Sequence, residues 1–307
     1  MKEKTLFIIN PEAGKGTGRK ILPRISRILS GHSKCTEIVQ TERAGHATEL
    51  VKLYRKDFKK ICVAGGDGTL NEIVNGLDGA APENILGVIP IGSGNDFART
   101  AGMSKDIEKS LKIILEDHTI REVDTGYLKY KENKTEGPYI RKFLNSAGIG
   151  FDAIVSDQIK KNRYFKGLPL YISAVVQALF MYQVMDVKAE LDGSLIEGRK
   201  LLIAISNGKT YGGGLKVNPG AEVDDGYLDA CLIANLPIWQ IVRDFQKLVR
   251  GKHATIPGIE IIRFKCGKVK TVLPVYIHTD GEVISRSVTE VEAGLNPIKQ
   301  PFIFAKK

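Results

Sequence analysis

The stretch Val63-Ala64-Gly65-Gly66-Asp67-Gly68-Thr69-Leu70-Asn71-Glu72 constrains the fold more than any other part of the chain. Residues 61–64 are apolar and partly β-branched, as a buried strand requires, and three glycines in four positions then let the backbone turn tightly and approach a ligand. Thr69 followed by Glu72 has the spacing of a capping box, which predicts a helix starting there with its N–H groups facing the glycine turn. Such a helix end attracts anions, phosphate above all. Asp67 is the odd residue, because a carboxylate beside a phosphate repels it unless a divalent cation or a proton transfer accounts for its presence. An ordinary Asp-Gly turn is the plainer reading of the same residues, and both stand open at this point.

Three similar units surround it. Residues 6–9 form an apolar strand ending in Asn10-Pro11-Glu12-Ala13-Gly14-Lys15-Gly16, with an amphipathic helix to about Leu29. This loop is glycine-rich and basic but fails the P-loop pattern, since Lys15 is followed by Gly16 and not by Ser or Thr. A strand over 37–40 leads through Thr41 to a helix opening near Gly45-His46-Ala47, and a strand over 85–91 leads into Gly92-Ser93-Gly94-Asn95-Asp96-Phe97, with a later helix over 105–116. Four strand-loop-helix units predict an α/β domain with a doubly wound parallel sheet. In that architecture the loops after the strands gather at one edge, so Asn10 to Gly14, Thr41, Gly65 to Asn71 and Gly92 to Asp96 are expected in one nucleotide site.

From about residue 121 the pattern changes to short alternating runs at 121–130, 140–147, 187–191, 200–206, 227–234, 260–264 and 269–278. These predict a second, mostly antiparallel β-rich domain, with residues 1–127 forming the first and 128–294 the second. Helical segments are expected near 153–161, 170–185 and 238–249. In the middle one Leu170, Ala174, Gln177, Ala178 and Met181 share a face that suits either the core or a wall for an apolar substrate. Its apolar run is interrupted by Ser173 and Gln177 and falls short of the roughly 20 residues of a membrane span, so any membrane contact is expected to be peripheral.

The net charge of +10 suits a phosphorylated substrate, an anionic membrane surface or nucleic acid. Nucleic acid ranks last, for no basic run interleaves with aromatics and no zinc-finger or RNA-recognition signature is present. Cys35, Cys62, Cys231 and Cys266 are widely spaced and include no Cys-x-x-Cys pair, so reduced thiols in a cytoplasmic protein are expected. Met1-Lys2-Glu3-Lys4 runs straight into a strand, and no signal peptide is expected. His32, His46, His118, His253 and His278 show no metal-ligand spacing and read as surface or core residues.

Phosphoryl transfer needs a phosphate cradle, a divalent cation and a carboxylate that orients or deprotonates the accepting hydroxyl. Candidate carboxylates are Asp67, Asp96, Asp124, Asp225, Asp280 and Glu282. Asp-Gly recurs at Asp67, Asp78, Asp192, Asp225 and Asp280 and is the commonest short turn signal, so most of these are structural. Glu282, two residues after Asp280 at a strand end, is expected to aim its carboxylate to the same side as that of Asp280. The run Glu222-Val223-Asp224-Asp225-Gly226-Tyr227 suits either a hard cation or an acidic hairpin turn.

Taken together, Asn10-Pro11-x-Ala13-Gly14, the stretch from Gly65 to Glu72, Gly92-Ser93-Gly94-Asn95-Asp96-Phe97-Ala98-Arg99, Asp225-Gly226-Tyr227-Leu228-Asp229 and Asp280-Gly281-Glu282 resemble the bacterial soluble diacylglycerol kinase family. The likeness runs in order through nearly the whole chain and is more specific than the Gly-Gly-Asp-Gly core shared with NAD kinases and phosphofructokinases. It implies a two-domain lipid kinase with its cleft between the domains and a C-terminal tail, residues 295–307, returning to the first. It implies ATP on Asn10, Pro11, Glu12, Ala13, Gly14, Thr41, Gly66, Asp67, Gly68, Thr69, Leu70, Asn71, Glu72 and Ser93. A structural Mg2+ would lie on Asp225 and the backbone carbonyls of Glu222 and Tyr227, with Asp124 reaching it through water. Glu282 would accept the proton of the lipid hydroxyl, with Asp280, Asp67 and Asp96 in the metal and phosphate network. Ala13 stands where serine is frequent, which puts a hydroxyl contact there in doubt, and Ser93 stands where threonine is frequent.

The expectation is therefore an ATP- and magnesium-dependent kinase converting diacylglycerol to phosphatidic acid in phospholipid biosynthesis. It would be cytoplasmic, peripheral at the anionic inner face of the membrane, and possibly paired as a homodimer through an edge strand. Kinases of sphingoid bases or phosphatidylglycerol, an NAD kinase, and a non-catalytic ATP sensor are the alternatives.

Overall fold

Strands β1 (Thr5–Ile9), β3 (Lys60–Gly65) and β4 (Ile85–Pro90) are almost entirely buried apolar runs, and they occupy the middle of a six-stranded sheet. In the computed structural model, described for residues 4–306 apart from 32–34, 78–82, 133–136, 162–172, 176, 179–181 and 183, the chain divides into two units. One comprises the described residues up to Val123 together with those from Pro297 onward; the other is Asp124–Asn296.

The first unit adds β2 (Thr36–Gln40), β5 (His118–Val123) and β15 (Gln300–Ala305), giving the order β2-β1-β3-β4-β15-β5. β1 to β4 are mutually parallel, β15 runs parallel to β4, and β5 pairs antiparallel with β15. Helices α1 (Ala13–Ser30), α2 (His46–Tyr54) and α3 (Asp67–Gly76) connect the first four strands; α4 (Asp96–Thr100) and α5 (Ile107–Leu115) follow β4. This is the expected α/β fold, and strand order reverses beside β1, the place where such sheets bind ligands.

In the second unit every strand pairing is antiparallel. Its strands are β6 (Gly126–Tyr130), β7 (Tyr139–Phe143), β8 (Ser146–Gly150), β9 (Met185–Leu191), β10 (Ser194–Ser206), β11 (Leu228–Ala234), β12 (Ile259–Phe264), β13 (Cys266–Thr279) and β14 (Glu282–Leu295). Ile203 and Ile205 of β10 join one apolar cluster while Leu202 and Ala204 join another, so both faces of this strand are covered. The second cluster takes in Phe151 and Val155 of α6 (Phe151–Lys161) and Phe245 and Leu248 of α7 (Ile238–Arg250).

Several expectations are corrected. The single strand expected over 121–130 is two, β5 and β6, because Asp124 and Thr125 leave the first sheet and bond to Val223 and Asn296 of the second unit. The two compact units accordingly divide after Val123. The run 140–147 is likewise split, into β7 and β8, by a turn at residues 144–145. β14, one of the longest strands, went unrecognised because its charged residues break the apolar alternation. Of the apolar face expected over 170–185, Leu170 and Met181 lie outside the described residues. Ala174 and Ala178 are wholly buried in the second apolar cluster and Gln177 is exposed, which is a core face. No described helix is long and apolar enough to cross a membrane.

Candidate active site

The first loops meet through hydrogen bonds and through the absence of side chains. Asn10, just past β1, donates from Nδ2 to Thr69 Oγ1 of α3 at 2.9 Å, while its Oδ1 accepts the Glu12 N–H at 3.0 Å. Gly66 and Gly92, past β3 and β4, pack backbone to backbone: a Cβ on Gly66 would stand 3.0 Å from Gly92 Cα. Asn95, in the left-handed region at φ 53°, closes the loop after β4 by bonding Gly92 N–H with Oδ1 and Gly92 O with Nδ2. The Asp67 carboxylate accepts the Phe97 N–H at 3.3 Å, at the start of α4. Asp96 is buried and salt-bridged to Arg99 at 2.6 Å. The loop after β1 winds through three left-handed residues, Gly14, Lys15 and Gly16, before α1 becomes regular. For Lys15 that conformation costs about 1–2 kcal/mol, which its two glycine neighbours escape.

The expected capping box does not form. α3 starts at Asp67, two residues before Thr69, with Gly66 as its N-cap, so Thr69 is inside the helix and its hydroxyl serves Asn10. Glu72 instead reaches the neighbouring helix, its two oxygens accepting the Gly45 and Ala47 N–H groups at 2.9 and 3.1 Å. It thus caps α2 from outside. Leu70 and Asn71 are buried, and Asn71 Oδ1 accepts from Asn75 Nδ2 at 3.1 Å. Thr41 is buried at the end of β2 with its N–H on Ile9 O, whereas Ser93 and Glu12 are exposed, Glu12 in an ion pair with Arg19. What the unit offers a ligand is a set of backbone surfaces at the strand ends and the N-terminus of α3, whose first N–H groups have no intrahelical acceptor.

The second unit holds the remaining candidates. Asp280 and Gly281, at φ 47° and 79°, are the two-residue turn of the β13–β14 hairpin, and Thr279 pairs with Glu282 across it. The Asp280 carboxylate accepts three backbone N–H groups, those of Leu144, Asn145 and Ser146, at 2.9–3.0 Å. It fixes the turn between β7 and β8. Asp280 lies in the turn and Glu282 opens β14, so the strand alternation on which their pointing the same way was expected does not relate them. Beneath the hairpin, His278 is buried, its Nε2 3.2 Å from Asp152 Oδ2 and its Nδ1 accepting the Gly281 N–H at 3.3 Å. Sequence reasoning took His278 for a surface or core residue and passed over Asp152; the only hint was that His278 stands two residues before the hairpin turn.

At the acidic loop Asp124 is buried, accepting the Gly226 N–H at 2.7 Å. Asp225 accepts the Tyr227 N–H and pairs with Arg263, whose guanidinium also lies over the Tyr227 ring. Glu222 is paired with Lys209 at 2.7 Å. Asp229 Oδ2 is buried with no hydrogen-bond partner among the described residues, and burial pushes its carboxyl up, Arg263 opposing and Asp225 adding to the rise. No three carboxylate, imidazole or thiolate groups converge as a metal cage among the described residues. The loop fits Mg2+ all the same: it carries more carboxylate charge than Arg263 offsets, and Mg2+ takes one or two carboxylates and keeps waters for the rest.

The four cysteines are free thiols, and burial pushes Cys62 and Cys231 up to about 12, which suits core residues.

Two family models match the chain, the diacylglycerol kinase catalytic domain over residues 4–128 and the YegS C-terminal NAD kinase beta sandwich-like domain over residues 145–297. The chain is 30% identical to a diacylglycerol kinase of Staphylococcus carnosus over 284 residues, covering 92% of this chain and 89% of that protein. It is 29% identical to one from Staphylococcus aureus, with 92% and 87% covered. The crystal structure of a diacylglycerol kinase from Bacillus anthracis matches with a TM-score of 0.74 at 25% identity, covering 99% of this chain and 98% of that one. An NAD kinase from Archaeoglobus fulgidus in complex with ATP shares the fold alone, with a TM-score of 0.52 at 15% identity and 98% and 93% covered.

Proposed function

Because the chain belongs to the bacterial diacylglycerol kinase family and is a lipid kinase of that type, we propose that it transfers the γ-phosphoryl group of ATP to the primary hydroxyl of diacylglycerol, giving phosphatidic acid and ADP. The observation that carries the nucleotide half is the meeting of Asn10, Thr69, Gly66, Gly92 and Asp67, which presents backbone N–H groups and an α3 N-terminus without side chains in the way. Phosphate oxygens suit that surface. Asp225, with the carbonyls of Glu222 and Tyr227 and with Asp124 through water, would hold a structural magnesium ion, which when bound would offset the carboxylate charge of that loop.

On the acceptor side Glu282 takes the hydroxyl proton as the lipid oxygen bonds to the γ-phosphorus and the bond to the ADP oxygen breaks. A positioned base of this kind contributes about 10²- to 10⁴-fold in rate. Asp280 is spent on three N–H groups and serves as the scaffold of the hairpin from which Glu282 starts. The protein would work from the cytoplasm against the inner membrane face, where each Lys or Arg near an anionic surface contributes about 1 kcal/mol and the net charge of +10 supplies candidates.

The test is transfer of labelled γ-phosphate from ATP with magnesium to diacylglycerol in mixed micelles, beside sphingosine, phosphatidylglycerol and NAD. Labelled phosphatidic acid formed by the wild type and lost with Glu282→Gln supports the reading. Label on NAD or on another lipid reassigns the acceptor; ATP binding with no transfer to any of them favours a sensor.

A further inference from the structure

We propose that His278, oriented by Asp152 and Tyr211, is a positioning residue that holds the Asp280–Gly281 peptide, and with it the start of the strand that carries Glu282, in its working conformation; this rests on the reading of Glu282 as proton acceptor. The hairpin turn is gripped twice. Asp280 binds residues 144–146 with its side chain, and the next N–H, that of Gly281, goes to His278 Nδ1 at 3.3 Å. An Nδ1 that accepts a hydrogen bond leaves the ring proton on Nε2, which faces Asp152 Oδ2 at 3.2 Å. Tyr211 donates its hydroxyl to the same carboxylate oxygen at 3.3 Å, and its ring packs near the imidazole.

All three side chains are buried, His278 with 1% of its surface exposed and Asp152 with 4%. Burying a carboxylate and an imidazole costs several kcal/mol unless both are well bonded, and Asp152 Oδ1 has no partner among the described residues. Packing alone would be served better by two apolar residues of the same volume. Asp152 stands in the first turn of α6, where the helix field favours its charge. Gly148 of β8 leaves the room: a Cβ there would overlap both Asp152 Oδ2 and His278 Nε2. The arrangement therefore fixes the imidazole's tautomer and ring plane, and through them the N–H of the residue that precedes Glu282.

The experiment compares wild type with His278→Asn, which keeps an acceptor at the Nδ1 position, and His278→Leu, which keeps none. Lipid phosphorylation, thermal unfolding and ATP affinity are measured for each. The expected result is a drop in kcat of at least tenfold for His278→Leu, with the KM values for ATP and lipid changed less than about twofold, and recovery of most of that loss by His278→Asn. In a Glu282→Gln background His278→Leu should cost nothing further, since it acts through that carboxylate. Equal kcat in wild type and His278→Leu, equal losses in the two His278 variants, or losses that track the fall in Tm would overturn the proposal. If Glu282→Gln retains full activity, the base assignment itself fails and the positioning role falls with it.

Discussion

The Nδ2 of Asn10 donates to Thr69 Oγ1 at 2.9 Å across a separation of 59 residues, joining the loop that leaves β1 to the helix that leaves β3. One hydrogen bond thus sets the spacing of two backbone surfaces at the strand ends. Asn10→Ala and Thr69→Val should each raise the KM for ATP about tenfold while costing about 1 kcal/mol of stability per hydrogen bond lost, and the double variant should be no worse than Asn10→Ala alone, which also removes the acceptor of the Glu12 N–H. Steady-state kinetics beside urea unfolding checks this; additive losses would show that the two side chains act separately.

Glu72 caps a helix other than its own. Replacing it with Ala leaves the Gly45 and Ala47 N–H groups without their acceptor and should lower stability by about 1–3 kcal/mol. Glu72→Gln retains one acceptor oxygen and should lose roughly half as much. Urea midpoints measured at equal slope distinguish the two.

Asp280 and Glu282 should part company on substitution. Asp280→Ala strands three N–H groups and should reduce stability by about 3 kcal/mol or more, dragging activity down with the fold. Glu282→Gln should leave Tm within a degree or two while kcat falls about 10²-fold or more. A Glu282→Gln variant with a wild-type rate would contradict the division of roles.

His253 gives the protein an acid-sensitive element. It is buried, its Nε2–H donates to Val217 O at 2.8 Å, and burial holds its pKa below the ordinary value, the Val217 bond partly opposing. An unfolded histidine titrates near about 6.5, so on acidification the unfolded chain takes up the proton first. Stability is then complete above about pH 6.5 and declines as pH falls toward the folded value, by at most about 1.4 kcal/mol per pH unit for this one group. Unfolding free energies from pH 7.5 to 5 should show that slope, and His253→Gln should flatten it.

What the residue order by itself determined was the alternation of buried strand, glycine turn and helix in the first unit. Apolar runs such as residues 61–64 have no stable place but a sheet interior, and glycines in the turn permit backbone contacts that a Cβ forbids. The same logic marked Gly66 and Gly92, whose roles are backbone roles, whereas Asn10 acts through its side chain. Tertiary structure decided the partners of the charged groups. Glu72 looked like the cap of its own helix because spacing reports only neighbours along the chain; packing of α2 against α3 redirected it. The two-residue step from Asp280 to Glu282 hides a turn, and only the pairing of β13 with β14 and the approach of residues 144–146 committed Asp280 to the backbone. His278 and Asp152 lie 126 positions apart and carry no local pattern, so their meeting under the hairpin belongs to the fold alone. Local propensity and hydrophobic period act over a few residues, whereas burial of a charge is settled by whichever distant donor the packed sheet brings within reach.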